Sequence, residues 1–499
     1  MSGERELHAP IPQPDDAVDI LDTPAAGGRV IRGSALRAVG YGVGVLLGAL
    51  AAAFMIRHLG PVDWGRYVTV MSLMSIAGGL SEAGMTTIGV REYSTRERRD
   101  RDLLMRNLLG FRLAITVAGV LLSILFTVLA SYPVVVVEGT ALAGLGVVFV
   151  VMQQTVGVPM AAGLRLGWQS TIDLVRQLAS LAAVATLVAV GASLLPFLAV
   201  PIPVGALVLF LTVLLVRGDM PLLPAFARDQ WARVLRLSVA FAAAAAVATF
   251  YVSITVVLTS LLASGRETGY YGVSFRIFSV LTAIPLLLVN SAFPVVARAA
   301  RDDHTRLSYA VQRLFEIAVI LGAWLALATA LAARVAVDVV AGSGFDRSVG
   351  VLRIQAVGLL GTFLAVTLGS TLLSLHRNRA LVVSNLLALG LSAALTIALV
   401  PVVGARGGAI ATVCGELTLS GLYAFDLFVR DRAFGLSLAV VPRVAAATAA
   451  AVGLAFVPGL TGIALVAAAT AVYGVMLLVT RALPRELLDA FLQPRRAAT

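Results

Sequence analysis

The chain has 499 residues, of which 59% are hydrophobic and only 13% are charged, and its mean hydropathy is +0.95. Because soluble domains carry about 25% charged residues, this composition excludes a soluble enzyme and indicates a protein with many membrane spans. The formal net charge of +11 arises from 38 basic residues, all of them Arg, against 27 acidic ones.

The first 34 residues are expected to form a disordered cytoplasmic tail. They contain Pro10, Pro12, Pro14 and Pro24 among acidic and small residues. They also lack the apolar core and cleavage site of a removable signal peptide. The first spanning helix would therefore serve as the insertion signal.

Fourteen apolar stretches follow, each close to the roughly 20 residues that a helix needs to cross a bilayer. They are too long and too uniformly apolar for barrel strands, so the backbone must satisfy its hydrogen bonds within helices. The sequence predicts an all-α, polytopic membrane protein. The predicted spans are 36–56, 67–89, 109–130, 138–160, 172–191, 194–216, 236–262, 271–296, 310–333, 352–374, 380–402, 407–429, 438–457 and 461–480.

Arginine is distributed unevenly between the two sides that these spans define. The tails and the loops on their side hold 27 Arg, whereas the opposite loops hold seven. Because cytoplasmic loops are enriched in basic residues, both termini are predicted to be cytoplasmic. The basic loops would contact anionic membrane lipids. They are short and scattered, which argues against nucleic acid as a partner.

A glycine–tyrosine pattern occurs twice, 204 residues apart. Residues 60–67 read GPVDWGRY between the first two spans, and residues 265–271 read GRETGYY between the seventh and eighth. Six spans separate the copies, so the two halves would have the same orientation, an arrangement that transporters use to place substrate between halves. We therefore expect an N-terminal six-helix lobe (35–235), a C-terminal six-helix lobe (236–433), two additional helices (434–481) and a cytoplasmic tail (482–499).

Three motifs carry a family resemblance. Residues 57–67 read RHLGPVDWGRY, and residues 375–379 (LHRNR) are followed by Asn385 and by residues 400–409 (VPVVGARGGA). These segments resemble the polysaccharide transporters, the O-antigen and repeat-unit flippases of the multidrug/oligosaccharidyl-lipid/polysaccharide exporter superfamily. The resemblance covers about residues 31–430. It implies a two-lobed helical bundle with a central cavity and a lipid-linked glycan as substrate, although without lysine any cationic role must fall to Arg.

Polar residues within the spans are the candidates for a substrate pathway. A lipid diphosphate headgroup needs cationic and hydrogen-bonding groups in a water-filled cavity, because a charge in hydrocarbon costs several kcal/mol. Arg276 offers a guanidinium fork that matches phosphate geometry. The candidate pathway residues are Arg276, Glu82, Arg57, Arg66 and Asn290, and those for ion coupling are Glu82 and Glu416.

These residues also have structural interpretations. Arg276 could pair with a carboxylate or extend to the membrane surface, and Glu82 could pair with an arginine. Arg112 is expected to extend from its span to the cytoplasmic surface. Asp173 and Arg176, three residues apart, are expected to form an ion pair.

The sequence contains no residue constellation typical of an enzyme. It lacks a phosphate-cradling glycine loop with its lysine, and Cys414 and the four histidines show no metal-ligand spacing, so no cofactor or metal is expected. We interpret the chain as a flippase that moves polyprenyl-diphosphate-linked oligosaccharide outward across the cytoplasmic membrane by alternating access. A polysaccharide polymerase and glycosyltransferases would be its protein partners. The alternatives are an ion-coupled multidrug exporter of the same superfamily and a membrane glycosyltransferase or O-antigen ligase.

Overall fold

The computed structural model describes residues 24–82, 84–163, 165–289, 304–430, 437–459 and 461–482. All regular secondary structure in these ranges is helical, which confirms the predicted all-α class. In a bilayer this is the expected solution, because a helix satisfies all its backbone hydrogen bonds within one segment.

Eight helices form the described N-terminal half. Pro201 divides the predicted sixth span, because a proline is well accommodated in the first turn of a helix but not in its interior. The helices are α1 (Pro24–Glu82), α2 (Met85–Thr95), α3 (Arg98–Leu129), α4 (Val134–Val156), α5 (Val158–Ala162), α6 (Leu166–Ala189), α7 (Leu194–Ala199) and α8 (Pro201–Leu215).

The C-terminal half repeats this pattern of long helices with short connections. The helices are α9 (Arg228–Leu262), α10 (Gly265–Leu281), α11 (His304–Val340), α12 (Asp346–Ser374), α13 (Asn378–Val403), α14 (Ala405–Ala424), α15 (Val440–Gly453) and α16 (Gly462–Val479). A π-helical turn, Phe425–Arg430, extends α14, and the span of α10 continues to Val289.

Twelve of the described helical stretches are long and apolar enough to cross a membrane, and the shorter apolar stretch Val440–Phe456 adds a further one. The first stretch, Gly40–Thr95, contains two predicted spans. Gly60 separates them, since its φ of 70° and ψ of 179° interrupt the helix. The described part of each of the fourteen predicted spans therefore lies in helical structure, and the chain is a multi-pass membrane protein.

The start of α1 corrects the predicted N-terminal tail. The helix begins at Pro24, so residues 24–34 are helical and not part of a disordered tail. Proline favours the first position of a helix, because its fixed φ is helical and its missing N–H would have no partner there. Residues 1–23 lie outside the described residues.

The sequence places the two repeated segments in the connections between spans. In the structure, each of them forms the first turn of a helix. Residues 61–67 continue α1 directly after Gly60. Gly265 is the first residue of α10, and the Ser264 hydroxyl accepts a hydrogen bond of 3.3 Å from the Glu267 N–H. This is the N-cap interaction that satisfies one of the free N–H groups of a helix start.

The same two segments pack against each other. A Cβ atom built on Gly65 would overlap the carbonyl group of Gly265, and one built on Gly269 would overlap the carbonyl group of Pro61. Gly65 and Gly269 are the corresponding glycines of the repeat, and both are needed for the close approach of the two backbones. The repeat thus joins the two halves at the ends of the spans that are predicted to face outward.

A large apolar core extends this contact between the halves. It includes Met55, Ile56 and Trp64 of α1, Tyr271 of α10 and Leu352 of α12. The last two helices, α15 and α16, pack against α11 on the other side of the C-terminal half. The interface between the halves is therefore formed by α1, α9 and α10, with α15 and α16 outside it.

Candidate functional site

Arg276 of α10 reaches across to α1. Its Nη2 donates a hydrogen bond of 2.9 Å to the Gly48 carbonyl oxygen, and its Nε is buried without a hydrogen-bond partner among the described residues. No described carboxylate lies within ion-pair distance of this guanidinium group. Most of its hydrogen-bonding capacity is thus unused within the described part of the chain.

Gln177 of α6 lies beside Arg276. A Cβ atom built on Gly48 would be 3.4 Å from Gln177 Oε1 and 3.6 Å from Arg276 Nη2. Tyr67 also interacts electrostatically with Arg276. A cation of α10 and a carboxamide of α6 therefore meet next to one turn of α1.

Glu82, at the end of α1, pairs with Arg112 of α3. The Arg112 side chain is fully buried, whereas that of Glu82 is 40% exposed. Arg112 also donates hydrogen bonds to Thr86 Oγ1 (3.0 Å) and Gln154 Oε1 (3.2 Å). The prediction that Arg112 extends to the membrane surface is wrong, because its side chain is fully buried and bonds to these partners inside the protein.

A cavity of about 470 Å³ lies between α1, α4 and α6, next to both arginines. Its wall is rich in carboxamide side chains, and we refer to it as the amide cavity. It includes the predicted ion pair of Arg176 and Asp173, whose closest atoms are 3.2 Å apart. The polar residues of its lining include Tyr41, Thr86, Gln153, Gln154, Gln169, Asp173, Arg176 and Gln177.

Glu416 of α14 lies in a second cavity, of about 670 Å³, inside the C-terminal half. Its carboxylate accepts hydrogen bonds from Tyr251 Oη (3.0 Å) and Thr362 Oγ1 (2.9 Å). Tyr271 and Tyr423 line the same cavity. No arginine among the described residues pairs with Glu416, so its only described hydrogen-bond partners are the two hydroxyl groups.

The other predicted pathway residues are not brought to these cavities. Arg57 donates to the carbonyl oxygens of Asp338 and Val339 at the C-terminal end of α11, where a cation is favourable. Arg66 forms an ion pair of 2.8 Å with Asp63, on its own helix. Asn290 lies outside the described residues.

The carboxamides are the residues that reasoning from the sequence missed. The chain contains nine glutamines, and four of them, Gln153, Gln154, Gln169 and Gln177, lie within 25 residues. Glutamine is costly inside a membrane unless it is hydrogen-bonded or lines a cavity. That local enrichment could have indicated a polar cavity at the ends of the fourth and fifth spans.

Comparison with known proteins gives a family match and several fold matches. Residues 54–350, more than half of the chain, match the model of a family described as polysaccharide biosynthesis protein. No curated protein matches the chain.

Solved structures of transporters share the fold. The chain is similar to a structure of the lipid II flippase MurJ in an inward closed conformation, with a TM-score of 0.72, 12% identity, and coverage of 91% of this chain and 99% of that one. An inward-facing multidrug resistance MATE family transporter has a TM-score of 0.62, 13% identity, and coverage of 78% and 94%. A MOP superfamily transporter from Pyrococcus furiosus has a TM-score of 0.54, 15% identity, and coverage of 82% and 96%. At these identities the likeness concerns the fold alone.

Proposed function

Because the chain belongs to the polysaccharide biosynthesis protein family, we propose that it is a flippase for polyprenyl-diphosphate-linked oligosaccharide in the cytoplasmic membrane. The predicted resemblance to the exporter superfamily is confirmed by the family match and by the fold. The substrate, the membrane and the direction of transport are parts of the proposal.

The observation that carries the proposal is the environment of Arg276. Even a partly buried cation without a counter-charge is costly in a membrane span. Arg276 has one described hydrogen bond, to a carbonyl oxygen, and an unpartnered buried Nε. A diphosphate would supply the missing negative charge, and its oxygens suit the guanidinium fork. We assign Arg276 as the diphosphate-binding residue.

The packing of the halves is consistent with alternating access. The lobes 35–235 and 236–433 meet through the repeated segments around Gly65 and Gly269. When this contact separates, the space between the lobes would be open to the outer side of the membrane. When the contact is closed, the same space would be accessible only from the cytoplasmic side. The additional helices, within 434–481, pack outside the interface and would move with the C-terminal lobe.

We place ion coupling at Glu416 in preference to Glu82. The charge of Glu82 is balanced by Arg112, so its protonation would leave a fully buried cation unpaired. Among the described residues, only hydroxyl groups bond to Glu416, so a proton or a small cation would neutralise it without breaking a described ion pair.

A multidrug exporter is the second candidate function. The fold match to a MATE transporter and the aromatic lining around Glu416, with Tyr251, Tyr271 and Tyr423, favour it, because carboxylates and aromatic faces bind organic cations.

Deletion of the protein separates these functions. For the flippase, lipid-linked oligosaccharide should accumulate in a form that external glycosidase cannot digest, and the finished polymer should be absent from the cell surface. For a ligase, the accumulated glycan would be sensitive to the glycosidase. For a drug exporter, the glycan would be unchanged and resistance to cationic compounds would fall.

A further inference from the structure

The amide cavity lies directly beside Arg276. Gly44 and Gly48 of α1 both face Gln177: a Cβ atom on Gly44 would be 3.6 Å from Gln177 Cγ, and one on Gly48 would be 3.4 Å from Gln177 Oε1. Gly48 is also the hydrogen-bond partner of Arg276, whereas Gly44 lines the cavity. One helical turn, about 6 Å, therefore separates the cavity wall from the arginine.

The position and size of the cavity suit a sugar attached to a diphosphate. From Gly48 to Tyr41, at the other end of the α1 wall, the helix rises about 10 Å. The volume of about 470 Å³ lies in the range of roughly 300–1,000 Å³ that is typical of small-molecule sites.

The carboxamides differ in how much of their hydrogen-bonding capacity is free. Gln153 is used at both ends, since its Oε1 accepts from Arg176 (2.8 Å) and its Nε2 donates to Thr212 (3.3 Å). Gln154 accepts from Arg112 through Oε1, which leaves its NH₂ group to donate. Gln169 and Gln177 make no side-chain hydrogen bond to other described residues, so each can both donate and accept.

The charges around the cavity are balanced. Arg176 is paired with Asp173, and Arg112 with Glu82. What remains for a ligand is a set of uncharged donors and acceptors, which matches sugar hydroxyl and acetamido groups. An acidic sugar would bury its carboxylate against amides without a free cation, which is unfavourable.

We propose that the amide cavity is a subsite for an uncharged sugar, the one next to the diphosphate, with Gln177, Gln169 and the NH₂ group of Gln154 as its hydrogen-bonding residues. This inference rests on the proposed function, because it assigns the neighbouring Arg276 to the diphosphate. It adds the class of sugar that the site accepts.

The proposal is tested by binding of three short-chain probes to the purified full-length protein. The probes are farnesyl diphosphate, farnesyl-diphosphate-linked N-acetylglucosamine and farnesyl-diphosphate-linked glucuronic acid. The wild type should bind the N-acetylglucosamine probe more tightly than farnesyl diphosphate, by roughly fivefold for each neutral hydrogen bond formed. The glucuronic acid probe should show no such gain.

Two variants separate this subsite from the diphosphate site. Gln177→Ala should reduce the gain from N-acetylglucosamine by roughly five- to tenfold and leave the affinity for farnesyl diphosphate unchanged. Arg276→Ala should weaken binding of all three probes. Gln312→Ala is the matched control, because Gln312 bonds to Glu316 and Ser437 far along the chain from the cavity, and it should behave as the wild type.

Equal affinity of the wild type for the sugar-bearing and sugar-free probes would overturn the sugar subsite. So would an equal gain from glucuronic acid, or a Gln177→Ala variant with the full preference of the wild type. Unchanged binding of farnesyl diphosphate by Arg276→Ala would instead overturn the diphosphate site of the proposed function.

Discussion

At the scale of single residues, two arginines within spans have opposite surroundings. Arg112 donates hydrogen bonds to a carboxylate, a hydroxyl and a carboxamide, and the carboxylate supplies its counter-charge, although its buried Nε, like that of Arg276, has no partner among the described residues. Arg276 has a backbone carbonyl oxygen as its one described hydrogen-bond acceptor. A buried cation with a counter-charge is neutralised within the fold, whereas one without a described counter-charge is available to an anionic ligand.

Replacement of Arg276 tests that distinction in transport. Arg276→Ala is expected to abolish export of lipid-linked oligosaccharide while protein abundance stays near normal. Arg276→Lys should retain part of the activity, because it keeps the charge but loses the bidentate geometry. Export is measured by protection of the glycan from external glycosidase, and abundance by immunoblotting of membranes. Normal export by the alanine variant, or a defect explained by degradation alone, would contradict the assignment.

Replacement of Glu82 should act on stability. Glu82→Gln leaves the fully buried Arg112 without a counter-charge. Removal of one partner of a fully buried ion pair lowers the free energy of unfolding by about 3–5 kcal/mol. Because the Glu82 side chain is 40% exposed, we expect a smaller loss, of about 1–3 kcal/mol. The purified variant should melt at a lower temperature than the wild type, and the double variant Glu82→Gln/Arg112→Gln should lose less than the sum of the two single variants. Additive losses would show that the two side chains are not coupled.

At the scale of helices, the contact between the first turns of the repeat depends on the absence of side chains. Gly269→Ala would place a Cβ atom against the Pro61 carbonyl group, so α1 and α10 must move apart. The variant should lose transport because the halves can no longer close on this side. In Gly421→Ala, which has open space around the new methyl group, transport should be unchanged.

A cross-link reports the same contact directly. In a Cys414→Ser background, Val62→Cys and Gly265→Cys are close enough to react, since a Cβ atom on Gly265 would lie 3.6 Å from Val62 Cγ1. The pair should form a disulfide on oxidation, and Gly269→Ala should greatly reduce its yield. An undiminished yield in Gly269→Ala would show that the helices tolerate the methyl group without separating.

At the scale of the whole molecule, the distribution of arginine predicts the orientation in the membrane. Arg99 and Arg266 are both exposed and lie at opposite ends of the spans. In a Cys414→Ser background, an impermeant thiol reagent applied to intact cells should label Arg266→Cys but not Arg99→Cys. Arg99→Cys should react after the cells are opened. Labelling of Arg99→Cys in intact cells would reverse the predicted topology.

Much of the fold could be predicted because hydropathy is a local property of the chain. Each spanning helix must be apolar over its own length, so the sequence shows it without reference to any other segment. The repeat was visible for a related reason, since Gly65 and Gly269 occur in the same local pattern in both halves. Their direct contact, in contrast, depends on how the two halves pack.

The sequence by itself determined the spanning helices, their number and the family of the chain, because these follow from composition and from short motifs. Only the tertiary structure decided which polar groups meet. Arg276 bonds to Gly48, 228 residues away, and Arg112 to Glu82, 30 residues away. Such partners are set by which faces of the helices pack together, and hydropathy alone does not separate the faces that contact lipid from those that contact protein. The amide cavity therefore became visible only when α1, α4 and α6 were placed side by side.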